Sequence, residues 1–302
     1  MPALTISGLR IGLRQVESVE TGAVIPVNRE LWRNLRAWLP YAAAEFVRTM
    51  TGRDIVEIEG LPNMPAPYYL LWGVLRRAGV RAGPNPKLSL LFTDKTVVRG
   101  HDHARTSLVL NGACRDITKS RVADVFADVF GYALAVDPTV HRGPMVEKSE
   151  DNGLHDGRVV HGPRAARPGF VYQRLVDNSW GEDGARVADL RCPTVFGKLA
   201  VVCIKQRPRD QRFANFNTAC DLAEPGEVFS ADELAKIAAF CRRMHLDWGG
   251  LDILRDRADG RIYIVDVNKT DMPVLVLPTR QKLEVSDRLA RLLRREIDLR
   301  IG

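Results

Sequence analysis

No apolar run in the 302-residue chain approaches the roughly 18 residues of a membrane span, so no transmembrane helix is expected. Met1 to Glu20 lacks a continuous apolar stretch bounded by a cleavage site, so no secretory signal is expected either. Cysteine is sparse. The five (114, 192, 203, 220 and 241) are odd in number and form no Cys-x-x-Cys pair. Four lie in apolar or helical runs, where a free thiol behaves as a small hydrophobe, and a reducing cytoplasm is the expected compartment. Internal repeats, low-complexity tracts and runs of like charge are absent. No Ser-His-Asp or Cys-His set demands a side-chain nucleophile. His101 and His103 have no third partner at metal-ligand spacing and read as solvated loop residues.

What is present is ordinary for a globular chain: 45% hydrophobic and 27% charged, with enough length for two or three subdomains. The formal net charge of +7 favours anionic ligands such as nucleotides, phosphates or acidic sugars. The arginines are dispersed and no nucleic-acid motif accompanies them, which argues against nucleic acid. Homodimerisation is left open.

Residues 1–28 alternate weakly and predict short strands. Asn28–Met50 is helical in pattern, with Leu31, Leu35 and Trp38 on one face and Pro40 as an expected break. A strand at Asp54–Ile58, a helix at Tyr68–Arg77 ending by Gly79, and strands at Leu88–Phe92 and Ser107–Leu110 complete a first third that reads as an α/β unit without an interpretable motif. Thr118–Phe130 predicts a helix closed by Gly131. Strand-like pieces follow at Ala133–Val136, Met145–Lys148, Arg158–Val160 and Phe170–Val176, with a polar glycine-bearing loop at 149–157. Next come a hairpin, Ala188–Val195 and Lys198–Lys205 turning at Phe196-Gly197, and a helix from about Ala231 opened by the Ser230/Glu233 capping box. A last amphipathic helix covers about Val285–Ile297.

The most informative segment lies between those two helices. Gly249–Leu254 and Ile262–Asn268 read as adjacent strands joined by Asp256–Gly260, whose Asp-Gly is a turn signal. Folding back there sets Asp252 opposite Asp266. Asp266 and Asn268, two apart, share a face. Asp and Asn are poor strand formers, so three of them among Val and Ile runs are locally costly, and such breaches concentrate at functional sites. Hard oxygen donors too few to fill a coordination shell suit Mg²⁺, which completes its octahedron with water and nucleotide phosphates. The bland alternative is a solvated hairpin face.

Taken in order, these elements resemble the ATP-grasp superfamily, as in ribosomal-protein glutamate ligases, glutathione synthetases, D-alanine ligases and inositol phosphate kinases. The resemblance covers roughly residues 111–302. It rests on Lys119 before Phe130-Gly131, Lys148 before Asn152-Gly153 and Asp156-Gly157, and the strand Val171–Asp177. It continues with Asp189-Leu190-Arg191, with Lys205 and Arg207 on its partner strand, and ends with the acidic hairpin. It implies an α+β or α/β ATP-grasp fold: an N-terminal α/β domain on the acceptor side (1–110), a small subdomain (111–172) and a large subdomain with the metal site (173–302), clamping ATP between antiparallel sheets. It further implies that Lys119 and Lys148 contact phosphates, together with Lys205, and that the Gly153–Gly157 loop folds over them with its backbone N–H groups. Gln173 and the backbone of Leu175 and Val176 would meet adenine, with Asp177 near the ribose. Asp252, Asp266 and Asn268 would hold Mg²⁺, or Mn²⁺ in its place. Arg191 and Arg207 would sit where charge develops on phosphoryl group and acceptor. The Asn215-Phe216-Asn217 turn would lie near phosphate or metal. The short first third departs from the family's usual leading domain and leaves the acceptor, an anionic small molecule or peptide, undetermined.

Three functions fit. The first is a ligase that joins a carboxylate to an amine through an acylphosphate. The second is a kinase of the same fold acting on a sugar or polyol hydroxyl. The third is a non-catalytic ATP-binding scaffold.

Overall fold

The computed structural model describes residues 4–6, 9–12, 14–19, 24–48, 55–100, 103–154, 156–214 and 216–301. His101, His155 and Asn215, and with Asn215 part of the expected Asn-Phe-Asn turn, lie outside them. The chain divides into two compact units. Unit 1 comprises 1–95, 100–112 and 269–302; unit 2 comprises 96–99 and 113–268. The C-terminal helix, expected within the large subdomain, thus belongs with the N-terminal residues.

Unit 1 begins with four short antiparallel strands in chain order, β1 (Leu4–Ile6), β2 (Leu9–Ile11), β3 (Gln15–Ser18) and β4 (Val24–Pro26). Helix α1 (Arg29–Arg48) follows. It runs through Pro40, where a break was expected. The turns beyond the proline are anchored by Tyr41, which shares a hydrogen bond of 2.8 Å with Ser286, and by buried Glu45, which accepts from Arg77 at 2.5 Å. The core of the unit is a parallel sheet built from β5 (Val56–Pro62), β6 (Val80–Ala82), β7 (Leu88–Phe92) and β8 (Val109–Leu110), in the order β6-β5-β7-β8. Helix α2 (Leu70–Arg77) connects β5 to β6. Parallel neighbours need such a crossover. Ile58, Leu88, Leu90, Leu71 and Val74 are buried together with Leu289 and Leu293 of the last helix, Thr279–Ile301. The strands expected at 54–58, 88–92 and 107–110 correspond to β5, β7 and β8, and β5 carries Glu57 and Glu59. Both are satisfied within unit 1: Glu57 accepts from the Asn85 N–H at 2.6 Å, and Glu59 from Ser89 and Arg105 at 2.5–2.6 Å.

Unit 2 opens with α3 (Lys119–Phe130), with Thr118 as its N-cap and Gly131 (φ 78°) as its C-cap. A left-handed C-cap residue costs glycine nothing. A three-stranded antiparallel sheet follows, β9 (Gly143–Ser149), β10 (Arg158–Gly162) and β11 (Phe170–Arg174), in the order β10-β9-β11. The strand expected at Ala133–Val136 is reduced to one bridge, Ala135 to Gln173. The larger antiparallel sheet contains β12 (Ser179–Trp180), β13 (Arg186–Val195), β14 (Lys198–Leu199), β15 (Val202–Pro208), β16 (Ala219–Ala223), β17 (Trp248–Arg255) and β18 (Ile262–Asn268). Its main path is β16-β15-β13-β17-β18, and β12 and β14 pair with β13. The Phe196-Gly197 turn has positive φ at both residues (49° and 75°), the geometry that a two-residue hairpin of matching twist requires.

Helices α4 (Pro225–Val228) and α5 (Ala231–Arg243) lie between β16 and β17, and the Ser230/Glu233 capping box opens α5 as expected. Alternation divides the large sheet. Leu190, Cys192, Val202, Ile204, Leu251, Ile253, Ile264 and Val267 share one core with Phe126, Ile237 and Phe240 of the helices, while the odd-numbered residues of β13 and β15 point to the other face. All five cysteines are free, four of them buried. Among the described residues no helix is long and apolar enough to cross a membrane.

Candidate nucleotide and metal site

The face of the large sheet turned away from that core is polar. In the β13/β15 register Asp189 lies opposite Lys205, Arg191 opposite Cys203, and Val187 opposite Arg207. Directly opposed residues point to the same side, so Asp189, Arg191, Lys205 and Arg207 share one face. The next ladder sets Arg191 opposite Asp252, and the one beyond sets Asp252 opposite Asp266 and Gly250 opposite Asn268. The expected convergence of Asp252, Asp266 and Asn268 is therefore present. The register shifts immediately after Asp252, which pairs with Asp266 while Ile253 pairs with Ile264. Val265 is the extra residue of this bulge. It lets Ile264 and Val267 stay in the core while Asp266 and Asn268 face the polar side.

Asp252 does not stand free. Its Oδ2 accepts from Arg191 Nη1 at 2.8 Å and its Oδ1 from Lys205 Nζ at 3.0 Å. Burial would raise its pKa, but the two cations outweigh burial and hold the carboxyl well below the usual range. Asp266 differs. Its Oδ1 is buried without a hydrogen-bond partner among the described residues. An unsatisfied buried carboxylate oxygen is costly, and a bound cation removes that cost. The donor set of Asp266 and Asn268 beside an Asp252 shared with Arg191 and Lys205 thus fits an oxygen-liking divalent ion. Among the described residues no group of three or more His, Cys, Asp or Glu side chains is placed to hold a metal ion, and the set here has two carboxylates and an amide.

Arg207 shares its face with Arg191 but is bonded to other groups. The Arg207 guanidinium is bonded to Asp189, and its Nη1 donates to the carbonyls of Arg212 and Ala214 at 3.1 and 3.5 Å. Asp189 also accepts from Asn178 Nδ2 at 3.0 Å. Burial raises the Asp189 pKa against the opposing pull of Arg207 and Lys205.

The small sheet presents its own residues to this face. Cross-strand pairs put Lys148 beside Val171 and Gln173 beside Val146. Lys148 Nζ donates to the Val265 carbonyl at 2.9 Å, and Asn152 Nδ2 donates to the Val267 carbonyl at 2.9 Å. Strand β18 ends the sheet, so alternate carbonyls there lack a strand partner and receive these side chains. Burial lowers the Lys148 pKa to about 8; Asp266 pulls it up and Lys119 pushes it down. Lys119, the first residue of α3, is buried and donates to the Asp151 carbonyl at 2.8 Å. The Asn152 N–H donates to Thr96 Oγ1 at 2.9 Å. The 149–157 loop is thus tied down at 151 and 152, while Gly153 (φ 79°) turns in open space. On the opposite face Glu147 is fully buried. Burial would raise its pKa, but Tyr172, Arg158 and Arg167 hold it at about 2. Lys148 and Glu147 therefore brace the strand from its two sides.

Beyond β11 the chain passes through Leu175, Val176 and Asp177. Gln173 is buried, and its Nε2 has no partner among the described residues. The Val176 carbonyl accepts from the Asn178 N–H at 3.1 Å and from Arg212 Nη2 at 2.8 Å. Asp177 is half-exposed, accepts from the Ser179 N–H at 3.2 Å and lies 3.8 Å from Arg209. Arg212 and Asn178 escaped the sequence reading as site neighbours. Their only sequence signal is polarity within or beside strands, which also marks solvated edges.

No protein-family model matches the chain, and no curated protein matches it. Solved structures similar to it are ATP-grasp ligases. The ATP-grasp ligase PsnB complexed with minimal precursor, Mg and ADP is 14% identical over 78% of this chain and 98% of that one, with a TM-score of 0.48. PsnB complexed with minimal precursor is 16% identical over 62% of each chain, with a TM-score of 0.40, so the match spans less than two thirds of that chain. The D-alanine–D-alanine ligase of Bacillus anthracis complexed with ATP is 11% identical over 82% of this chain and 99% of that one, with a TM-score of 0.42. None of these TM-scores reaches 0.5 and none of these identities exceeds 16%, so they assign this chain neither substrate nor site residues.

Proposed function

We propose that unit 2 binds Mg·ATP and that the protein is an ATP-grasp ligase joining a carboxylate to an amine. The observation that carries this reading is the convergence, within unit 2, of Lys119, Lys148, Arg191, Lys205, Asp252, Asp266 and Asn268, beside a buried Gln173 amide whose Nε2 has no partner among the described residues. Gln173, Leu175 and Val176 receive the adenine and Asp177 lies beside the ribose. Lys119, Lys148 and Lys205 neutralise phosphate charge, and the backbone of Gly153 to Gly157 folds over it. Asp266 and Asn268, with Asp252, hold the metal, which supplies Lewis-acid neutralisation of the β- and γ-phosphates.

The protein's own contribution is position and fixed charge. Arg191, held by Asp252, is the cation best placed on the polar face to stabilise charge as a phosphoryl group passes to a carboxylate oxygen. The amine then attacks the activated carbonyl and phosphate leaves, so no enzyme nucleophile is needed. Arg207 supports this face through Asp189.

The test is ADP release from Mg·ATP against a panel of carboxylates and amines, with product analysis. ADP with free phosphate and an amide product supports a ligase. ADP with a phosphorylated acceptor makes the protein a kinase. Saturable binding without turnover across the panel makes it a scaffold. If Mg·ATP neither binds nor raises the melting temperature, the nucleotide reading fails. A ligand at about 100 times its Kd adds about 2.7 kcal/mol of stability, which a melting curve resolves.

A further inference from the structure

One segment outside the expected site touches two parts of it. After β15 the chain makes a short turn at Arg209–Gln211 and reaches Arg212 and Phe213. Arg212 Nη2 donates to the Val176 carbonyl at 2.8 Å and to Asn178 Oδ1 at 2.7 Å. Asn178 is itself buried and bonded to Asp189 and to the Ala188 carbonyl, each at 3.0 Å. Phe213 faces the other way. A Cβ placed on Gly157 would lie 2.9 Å from Phe213 Cδ1 and 3.3 Å from Cε1, so the ring rests on a loop residue that has no side chain. The Arg212 guanidinium is 5.8 Å from the centre of the Phe213 ring, within cation–π range. Arg207 fixes the segment from beneath by donating to the carbonyls of Arg212 and Ala214.

Adjacent residues of one braced segment therefore hold the hinge after β11 and the end of the glycine loop. We propose that Arg212 and Phe213 are positioning residues that couple base binding at Val176 to closure of the 149–157 loop. The proposal rests on the nucleotide reading above and adds to it. Without the clasp, the base docks as before but the loop closes less often. Phosphates are then less well shielded from water, and ATP hydrolysis without ligation rises relative to product.

Hydrogen exchange in the full chain, with and without Mg·ADP, separates the ideas. In the wild-type protein Mg·ADP is expected to protect both the hinge amides at 175–178 and the loop amides at 149–157. Arg212 has no hydrogen bond to the loop among the described residues, so a merely structural role for it leaves loop protection unmoved. Arg212→Met is expected to keep ligand-induced hinge protection while loop exchange in the bound state speeds up by on the order of tenfold, within the usual range of coupling between sites. Phe213→Ala should do the same from the other side. Unchanged loop protection in Arg212→Met overturns the coupling, as does a wild type protected at the hinge and not in the loop. Absence of hinge protection in the wild type overturns the nucleotide reading instead. Should Arg212→Met lose protection throughout β13 and β17, it has misfolded. Arg212→Lys then carries the same test, because its single ammonium cannot serve the Val176 carbonyl and Asn178 together as a guanidinium fork does.

Discussion

Lys148 offers a prediction whose size follows from its surroundings. Lys148 is part-buried in unit 2, and its ammonium donates to the Val265 carbonyl at 2.9 Å. Burial lowers its pKa from 10.5 to about 8, against the pull of Asp266. That gap corresponds to at most about 3 kcal/mol. The sign follows from proton counting. Below pH 8 both folded and unfolded chains carry the proton, and the folded state bears the full cost of the enclosed charge. Between about 8 and 10.5 the unfolded chain binds more protons than the folded one, so the contribution of Lys148 to stability rises with pH.

Lys148→Met removes the charge and keeps an unbranched apolar chain. Its advantage over the wild type should be largest near pH 7 and shrink by roughly 2–3 kcal/mol by pH 10. Denaturant unfolding of the two proteins side by side at pH 7, 8.5 and 10 measures the difference, and other titrating groups cancel. Bound phosphates would return the lysine to its charged form. Calorimetry of Mg·ATP binding at pH 8.5 in buffers of different ionisation enthalpy should therefore show uptake of roughly three-quarters of a proton in the wild type and none in the variant. A stability difference that stays flat from pH 7 to 10 refutes the enclosed-charge argument.

Three further outcomes are expected. Asp266→Asn should fold normally but lose nearly all Mg²⁺-dependent ADP release, and wild-type turnover would reduce the acidic hairpin to a solvated face. Arg207→Lys cannot bridge Asp189 and two carbonyls at once; denaturant unfolding should show a loss of about 1–3 kcal/mol, and ATP affinity should fall less than after Lys148→Met. Ser230→Ala removes the side-chain acceptor at the start of α5 and should cost about 1 kcal/mol, read from the same unfolding curves with turnover intact.

The sequence by itself determined the features that local chemistry decides. The Asp-Gly turn folded β17 back on β18, with Arg255 opposite Ile262, the Ser230/Glu233 pair placed the start of α5, and Gly131 ended α3, because turns and caps are settled by a few adjacent residues. Only the tertiary structure decided which charges meet. Whether Arg191 and Arg207 share a face depended on strand register, which a period-two pattern leaves open. The bulge at Val265, the docking of Lys148 and Asn152 on the free edge of β18, and the capture of Asp252 by Arg191 and Lys205 join residues far apart in the chain. The setting of Glu57 and Glu59 in unit 1 was hidden for the same reason. Glu57 and Glu59 look solvent-facing in sequence, and their partners Asn85, Ser89 and Arg105 lie 28 to 46 residues away. A polar residue on a strand reads the same whether water or a distant side chain satisfies it, and burial of its partner is a property of the folded chain alone.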